Sequence, residues 1–365
     1  MPSLLASITT SSSSHITTAA LAPDASAVAA ADGTKLRLFR LTPQQQQQQG
    51  AAETQGAAAA VTRVKVQHKL DAPVVCCCFS ADSSMLFAVT GSGSILAVDA
   101  ASGELVVSRQ LTAAAAGSKK PAGQKQQQQQ AWCRSLAWAM PRASVMTASP
   151  DGQLLAVGSA AGVELLSAAA GDTLLQPVRQ LSLLGEPSAI TAVQCSPSSS
   201  IVAVATACNT FAAYEAATGL PTAWSLKHQE AAADLMQKLP GSIAGLSFQP
   251  TVDKAQQGAA SVLAFSAGGL CMIDMEQPLL PQQEGLQLSG GNSKQRRKMR
   301  KQQGPGGMHV DASSETGRNG RLLKLEDSCL LVGHCSSSEV VLLEKPWQEV
   351  LQTLLPPVYR HRYGM

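Results

Sequence analysis

The sequence predicts an all-β fold, a β-propeller of about six to seven four-stranded blades carrying disordered low-complexity inserts. Three observations lead there. One strand-and-turn grammar recurs along the chain, its strands are short and rich in Ala, Val, Leu and Ser, and runs of Gln, Ala and Gly fall between the strand groups.

Four segments carry the grammar clearly: ITTAALAPDASAVAAADGTKLRLFRL from Ile16, VVCCCFSADSSMLFAVTGSGSILAVDAASGEL from Val74, TASPDGQLLAVGSAAGVELLSAAAGDTL from Thr147 and ITAVQCSPSSSIVAVATACNTFAAYEAATGLP from Ile190. Each starts with an alternating apolar strand and turns at a motif such as A-P-D-A or S-P-D-G. A small-residue strand such as LLAVGSA follows, then a polar or Gly turn, a third strand such as VELLSA, and a turn built on A-x-x-G. Pro and Asp pre-set such turns and Gly tolerates positive φ, so the strands can pair antiparallel. Small residues on the second strand allow neighbouring sheets to approach closely.

Two weaker copies run from Ile243 to Leu280 and from Arg321 to Trp347. With inserts each unit spans roughly 50 to 60 residues, longer than the bare 40 to 45 of a WD-repeat blade. The units are therefore WD-repeat-like but degenerate: the W-D dipeptide is missing, and VDA at 98–100 and a solitary Gly333-His334 remain. A pair of β-sandwiches would not require one turn grammar to repeat. The expected organisation is a flexible N-terminus or part of a closing blade at 1–15, a propeller at 16–347 with inserts at 43–60, 112–130 and 280–320, and an amphipathic and basic tail at 348–365. HQEAAADLMQKLP at 228–240 predicts a short surface helix ended by Pro240.

At 365 residues and a net charge of +3, the chain can bury a core and has no global field demanding nucleic acid, so any basic function is local. Its nine cysteines include adjacent Cys76, Cys77 and Cys78 but no C-x-x-C, a pattern expected of reduced thiols inside a cell rather than of a metal site or a disulfide framework. No stretch approaches the ~18 apolar residues of a membrane span. No membrane partner is expected.

No motif for a catalytic nucleophile, a phosphate loop, a zinc protease or a calcium loop appears, so neither a cofactor, a metal, a catalytic residue nor a small-molecule substrate is expected. Gly91-Ser92-Gly93 reads as a hairpin, Asp82 and Asp151 as turn aspartates bonding their own backbone, Met272 and Met275 as core and loop, and His334 and Cys335 as strand neighbours pointing apart. Charge is what remains. Lys294, Arg296, Arg297, Lys298, Arg300 and Lys301 form an acid-free run in a Gly/Gln-rich insert, suited to phosphate contact or to a nuclear or nucleolar localisation signal. At the end of the chain Arg360, His361 and Arg362 lie between Tyr359 and Tyr363, a pairing of basic and aromatic groups that can stack on and neutralise RNA.

The stretch from Arg321 to Met365 resembles the C-terminus of the cirhin family, WD-repeat proteins of ribosome assembly. The resemblance rests on Glu344-Lys345-Pro346, the amphipathic turn from Trp347 to Leu354, Leu355-Pro356-Pro357, and the basic aromatic end from Tyr359 to Gly364. It implies two propellers in a full-length member, this chain covering the second. It also implies a non-catalytic nucleolar scaffold of the small-subunit processome, assembling on pre-rRNA for small-subunit rRNA maturation beside other WD-repeat processome proteins. The Gln and Ala expansions depart from the family, as do Arg and His in place of a lysine-rich end. Trp347, Val350, Leu351, Leu354 and Leu355 are the expected partner-binding residues, able to cover a neighbouring blade or another protein. The alternative is a generic WD-repeat protein-interaction adaptor unrelated to RNA.

Overall fold

A computed structural model describes residue 8 and residues 15–32, 35–43, 59–111, 145–159, 162–184, 188–250, 261–279, 320–325, 328–336 and 339–345. The chain divides into two compact units, Met1–Lys227 and His228–Met365. All described sheets are antiparallel meanders in chain order, which is the blade architecture the repeats predict.

Among the described residues the first unit holds four sheets. The first contains β1 (Ile16–Leu21), β2 (Ala27–Asp32), β3 (Leu36–Pro43) and β4 (Ala59–Val64), and the second β5 (Val74–Phe79), β6 (Met85–Thr90), β7 (Ser94–Asp99) and β8 (Leu105–Gln110). The third contains β9 (Val145–Ala148), β10 (Leu154–Ser159), β11 (Gly162–Ser167) and β12 (Pro177–Gln180), and the fourth β13 (Ile190–Cys195), β14 (Ile201–Thr206) and β15 (Phe211–Glu215). Where a fourth strand would extend that last sheet, a single bridge joins Tyr214 to Pro221. The first strands lie against one another in sequence, β1 on β5, β5 on β9 and β9 on β13.

Two-residue periodicity sends alternate side chains of each sheet to opposite neighbours. In the second sheet Cys77, Leu86, Ala88, Leu96 and Val98 pack with Ala29, Ala31 and Leu38 of the first. Cys76, Phe87, Val89, Ile95 and Ala97 pack with Leu155, Val157 and Leu166 of the third. The cysteine triplet is therefore split between two interfaces and gathers on nothing. β1, β5 and β13 share a register shift at their second residue, between Ile16 and Thr18, Val74 and Cys76, and Ile190 and Ala192. A bulge bends and twists the strand, here at the same end of each sheet.

The second unit repeats the plan with β16 (Ile243–Phe248), β17 (Ser261–Ser266), β18 (Gly269–Asp274) and β19 (Gly320–Lys324), followed by a sheet of β20 (Ser328–His334) and β21 (Val340–Lys345). β16 has the same shift between Ile243 and Gly245. Leu263 and Phe265 pack with Cys329 and Val332 across the two sheets.

The sequence reading is corrected at three points. RLLK at 321–324 belongs to the outer strand of the fifth sheet rather than to the start of the sixth unit, because it pairs with β18. Pro43 pairs with Ala59, so the first insert is narrower than 43–60. The helix expected over 228–240 starts earlier: α1 runs Ala223–Gln237, with one face exposed and non-helical geometry at His228. It starts early because Thr222 Oγ1 accepts the Ser225 N–H at 3.2 Å, an N-cap bond, and its later half buries Ala232 and Met236 completely.

Small residues on β10 and β16 let side chains approach the backbone. A Cβ on Gly158 would lie 2.7 Å from Val145 Cγ2 and 2.8 Å from Ile190 Cγ2, and one on Gly245 would run into the Phe265 ring. Gly158→Val is expected to cost about 1–3 kcal/mol by overpacking, and Phe87→Ala about 3–5 kcal/mol through the cavity left at a fully buried ring. Urea denaturation checks both, and wild-type midpoints for both variants would contradict this packing.

Candidate interaction surface

Each sheet of the first unit has the same turn between its first two strands. Ala22 to Ser26, Ser80 to Ser84, Ser149 to Gln153 and Ser196 to Ser200 align residue for residue. The fourth position is left-handed in all of them, with φ of 57° at Ala25, 62° at Ser83, 71° at Gly152 and 58° at Ser199. Where the third position is Asp, its carboxylate closes the turn. Asp82 accepts from the Ser80 and Ser84 hydroxyls and the Ser84 N–H, Asp151 from the Ser149 hydroxyl and the Gln153 N–H, and Asp24 from the Ser26 N–H. The Ser80 bond leads in holding the Asp82 carboxyl below its ordinary range, and Ser26 does the same for Asp24. These carboxylates serve as turn locks.

The turns also join neighbouring sheets. Asp24 N–H donates to Ser83 Oγ at 3.3 Å, from the first sheet to the second, and Asp151 N–H donates to Ser199 Oγ at 3.1 Å, from the third to the fourth. At the other corner, the A-x-x-G turns of the second and fourth sheets are clamped the same way: Gln67 N–H to Gly103 O at 3.1 Å and Ser182 N–H to Gly219 O at 3.0 Å. Gly103 and Gly219 have φ of 74° and 69°. The joint between the second and third sheets is built differently. Gly152 has no hydroxyl to offer, and Arg109 instead donates to Leu175 O at 2.7 Å.

The opposite ends of the sheets carry polar residues at the close of the second strand. In the second sheet Asp71 accepts from the Ser92 and Ser94 hydroxyls, which hold its carboxyl low against the opposing effect of burial. Asp32 and Arg37 form a buried ion pair in the first sheet, and Ser266 Oγ donates to Pro240 O at 2.8 Å in the fifth. Gly93, φ 88°, returns its N–H to Thr90 O, so Gly91 to Gly93 is the hairpin the sequence predicts.

The thiols divide by environment. Burial pushes Cys76, Cys195 and Cys271 up to about 12, while Cys208 and Cys335 are exposed. His334 Nδ1 lies 3.1 Å from Ser247 Oγ, which accepts the His334 N–H at 3.0 Å; burial lowers the pKa of the ring. Among the described residues no group of His, Cys, Asp and Glu is arranged to hold a metal ion, and no helix is long and apolar enough to cross a membrane.

All of the residues singled out for binding lie outside the described residues: Lys294, Arg296, Arg297, Lys298, Arg300 and Lys301, then Arg360 and Arg362, and Trp347, Val350, Leu351, Leu354 and Leu355. Two surface features went unread in the sequence. Arg63, Lys65 and Lys69 are exposed along and just beyond the outer strand β4, while Val64 and Val66 turn into the core. Their spacing of about 7 Å per two extended residues is within a Debye length, so Arg63 and Lys65 act as one positive patch. The R-x-K alternation in VTRVKVQHKL was the available signal. The second feature is an apolar face on the last sheet, where Leu331 is 56%, Val341 53% and Leu343 52% exposed.

The sheets and their locked turns define a propeller-blade protein. No family model and no curated protein matches this chain.

Alkylation of the native protein at pH 8 is expected to mark Cys208 and Cys335, with Cys76, Cys195 and Cys271 reacting only after denaturation; early labelling of Cys195 would contradict its placement. For pH, a His with a lowered folded pKa contributes stability that is complete above the unfolded value of ~6.5 and is lost as pH falls through the folded value. The depressed turn carboxylates act lower, below ~4. Denaturation midpoints are therefore expected to decline gently below pH ~6.5 and steeply below ~4, with His334→Gln flattening the first decline. An identical profile for that variant would exclude His334 as its source.

Proposed function

We propose that this chain is a non-catalytic scaffold of ribosome biogenesis, acting in small-subunit processome assembly on pre-rRNA and in maturation of small-subunit rRNA in the nucleolus. The observation that carries the scaffold reading is the use of the turn carboxylates. Asp24, Asp82 and Asp151 bind their own turns, two of those turns reach the adjacent sheet, and the result is a set of rigid corners rather than a convergent set of reactive groups. Rigid corners on stacked sheets suit the display of surfaces to other proteins.

The ribosomal assignment is supported by the cirhin-like order of the chain end, from Glu344-Lys345-Pro346 to Tyr363-Gly364, and by the basic run from Lys294 to Lys301. The strip of Arg63, Lys65 and Lys69 adds positive charge on a fixed element. Its partners are other WD-repeat processome proteins and pre-rRNA, the latter held through phosphate neutralisation rather than base readout.

Neutralising Lys294, Arg296, Arg297, Lys298, Arg300 and Lys301 to Gln is expected to weaken RNA binding and to reduce the log–log salt slope by up to about 4. Retention of protein partners should accompany this loss. RNA binding that is absent at every salt concentration, or purification from nucleolar extract without processome proteins, would leave the general adaptor in its place.

A further inference from the structure

The four aligned turns of the first unit differ at the position that locks them. Their third residue is Asp24, Asp82 and Asp151 in the first three sheets but Ser198 in the fourth. The backbone is the same in all of them. The N–H of the fourth residue returns to the carbonyl of the first, at 2.8 Å for Ala25 to Ala22, 3.0 Å for Ser83 to Ser80, 2.9 Å for Gly152 to Ser149 and 2.8 Å for Ser199 to Ser196. Ser198 therefore stands where the other turns place a carboxylate.

The donors that serve such a carboxylate surround Ser198. In the second sheet Asp82 accepts from the Ser80 hydroxyl, the Ser84 hydroxyl and the Ser84 N–H. Ser196 and Ser200 are their equivalents, and Ser198 Oγ lies 3.1 Å from Ser196 Oγ and 2.8 Å from Ser200 Oγ. Ser196 Oγ accepts the Ile201 N–H at 3.1 Å, just as Ser80 Oγ accepts the Met85 N–H at 2.9 Å and Ser149 Oγ the Leu154 N–H at 2.8 Å. In the second and third sheets that serine then gives its own hydrogen to the Asp. One neutral hydroxyl thus sits among groups that elsewhere hold an anion.

We propose that Ser198 is a phosphorylation site, and that its phosphate supplies the anion the fourth turn lacks. An ATP-dependent protein kinase would form the bond from Ser198 Oγ to the γ-phosphorus as the bridging oxygen bond to the β-phosphate breaks; ADP leaves, and the hydroxyl proton passes to the base of the kinase. Phosphoserine carries about −1.5 to −2 charges and three strong acceptor oxygens, enough for the Ser196 and Ser200 hydroxyls and the Ser200 N–H.

Exposure and charge both suit this position. Pro197, Ser198 and Ser200 are exposed, whereas Ser196 and Ser199 are buried. Neutral hydroxyl bonds hold a turn less firmly than bonds to a carboxylate, so this turn opens to an enzyme more readily than its Asp-locked counterparts. The first joint already carries the charge pattern that would result. There Asp24 N–H donates to Ser83 Oγ beside Asp82, and at the third joint Asp151 N–H donates to Ser199 Oγ beside Ser198. Modification at 198 thereby tightens the turn whose next residue holds the third sheet to the fourth.

Mass spectrometry of the full chain recovered from its own cells, before and after phosphatase treatment, is expected to find phosphate on Ser198. Its absence, or phosphate on Ser200 alone, overturns the proposal. Hydrogen exchange of protein carrying phosphoserine at 198 tests the lock. Near neutral pH the amides of 196–201 are expected to exchange about five-fold or more slowly than in the unmodified chain, with the difference shrinking below pH ~6 as the phosphate regains its second proton. Ser198→Asp should slow the same amides without that pH dependence, and Ser198→Ala should not slow them. Unchanged or faster exchange in the phosphorylated protein overturns the proposal even where the phosphate is found.

Discussion

Burial of both faces of the second and third sheets is the constraint on which the rest of the first unit depends. Stacked sheets sit about 10 Å apart, and each strand must offer apolar or small groups on both sides. The second sheet meets that demand with Leu86, Ala88, Leu96 and Val98 on one side and Phe87, Val89, Ile95 and Ala97 on the other. Charge is thereby displaced to corners, outer strands and connections. This explains why a chain with an apolar repeated body concentrates its chemistry in turns, in β4 and in the segments between strand groups.

At the corners, the hydrogen-bonding groups close the turn first and reach the adjacent sheet second. Asp82 has both oxygens engaged within its own turn, while Asp24 and Asp151 lend their backbone N–H groups to a serine next door. The left-handed fourth position fixes both functions together. Gly fits it without strain, whereas Ser accepts a steric penalty and gains a hydroxyl that the neighbour can use. Gly152 and Ser199 represent the two solutions at equivalent positions of adjacent sheets.

The repeated turn motifs made the sheets legible in the sequence, because S-P-D-G and A-P-D-A specify local geometry without reference to distant contacts. Outer strands were harder to read. Arg321 to Lys324 looks like the opening of a new unit, yet β18 claims it from across a long stretch of sequence, and nothing local signals that choice. The start of α1 was hidden for a similar reason: Thr222 caps it while Ser225, its third residue, also accepts the Ala213 N–H at 2.7 Å, a tertiary bond that periodicity does not report. Basic charge stood out in the sequence only where composition departs from the body, as in KQRRKMRK, whereas Arg63 and Lys65 are interleaved with core valines and read as ordinary strand.

Among the described residues, the joint between the second and third sheets has the Arg109 bond to Leu175 in place of the paired corner clamps of the other two. Shortening that one side chain would loosen the second sheet from the third and leave the clamps of the other two joints in place, so the first unit has a seam at which a single substitution acts.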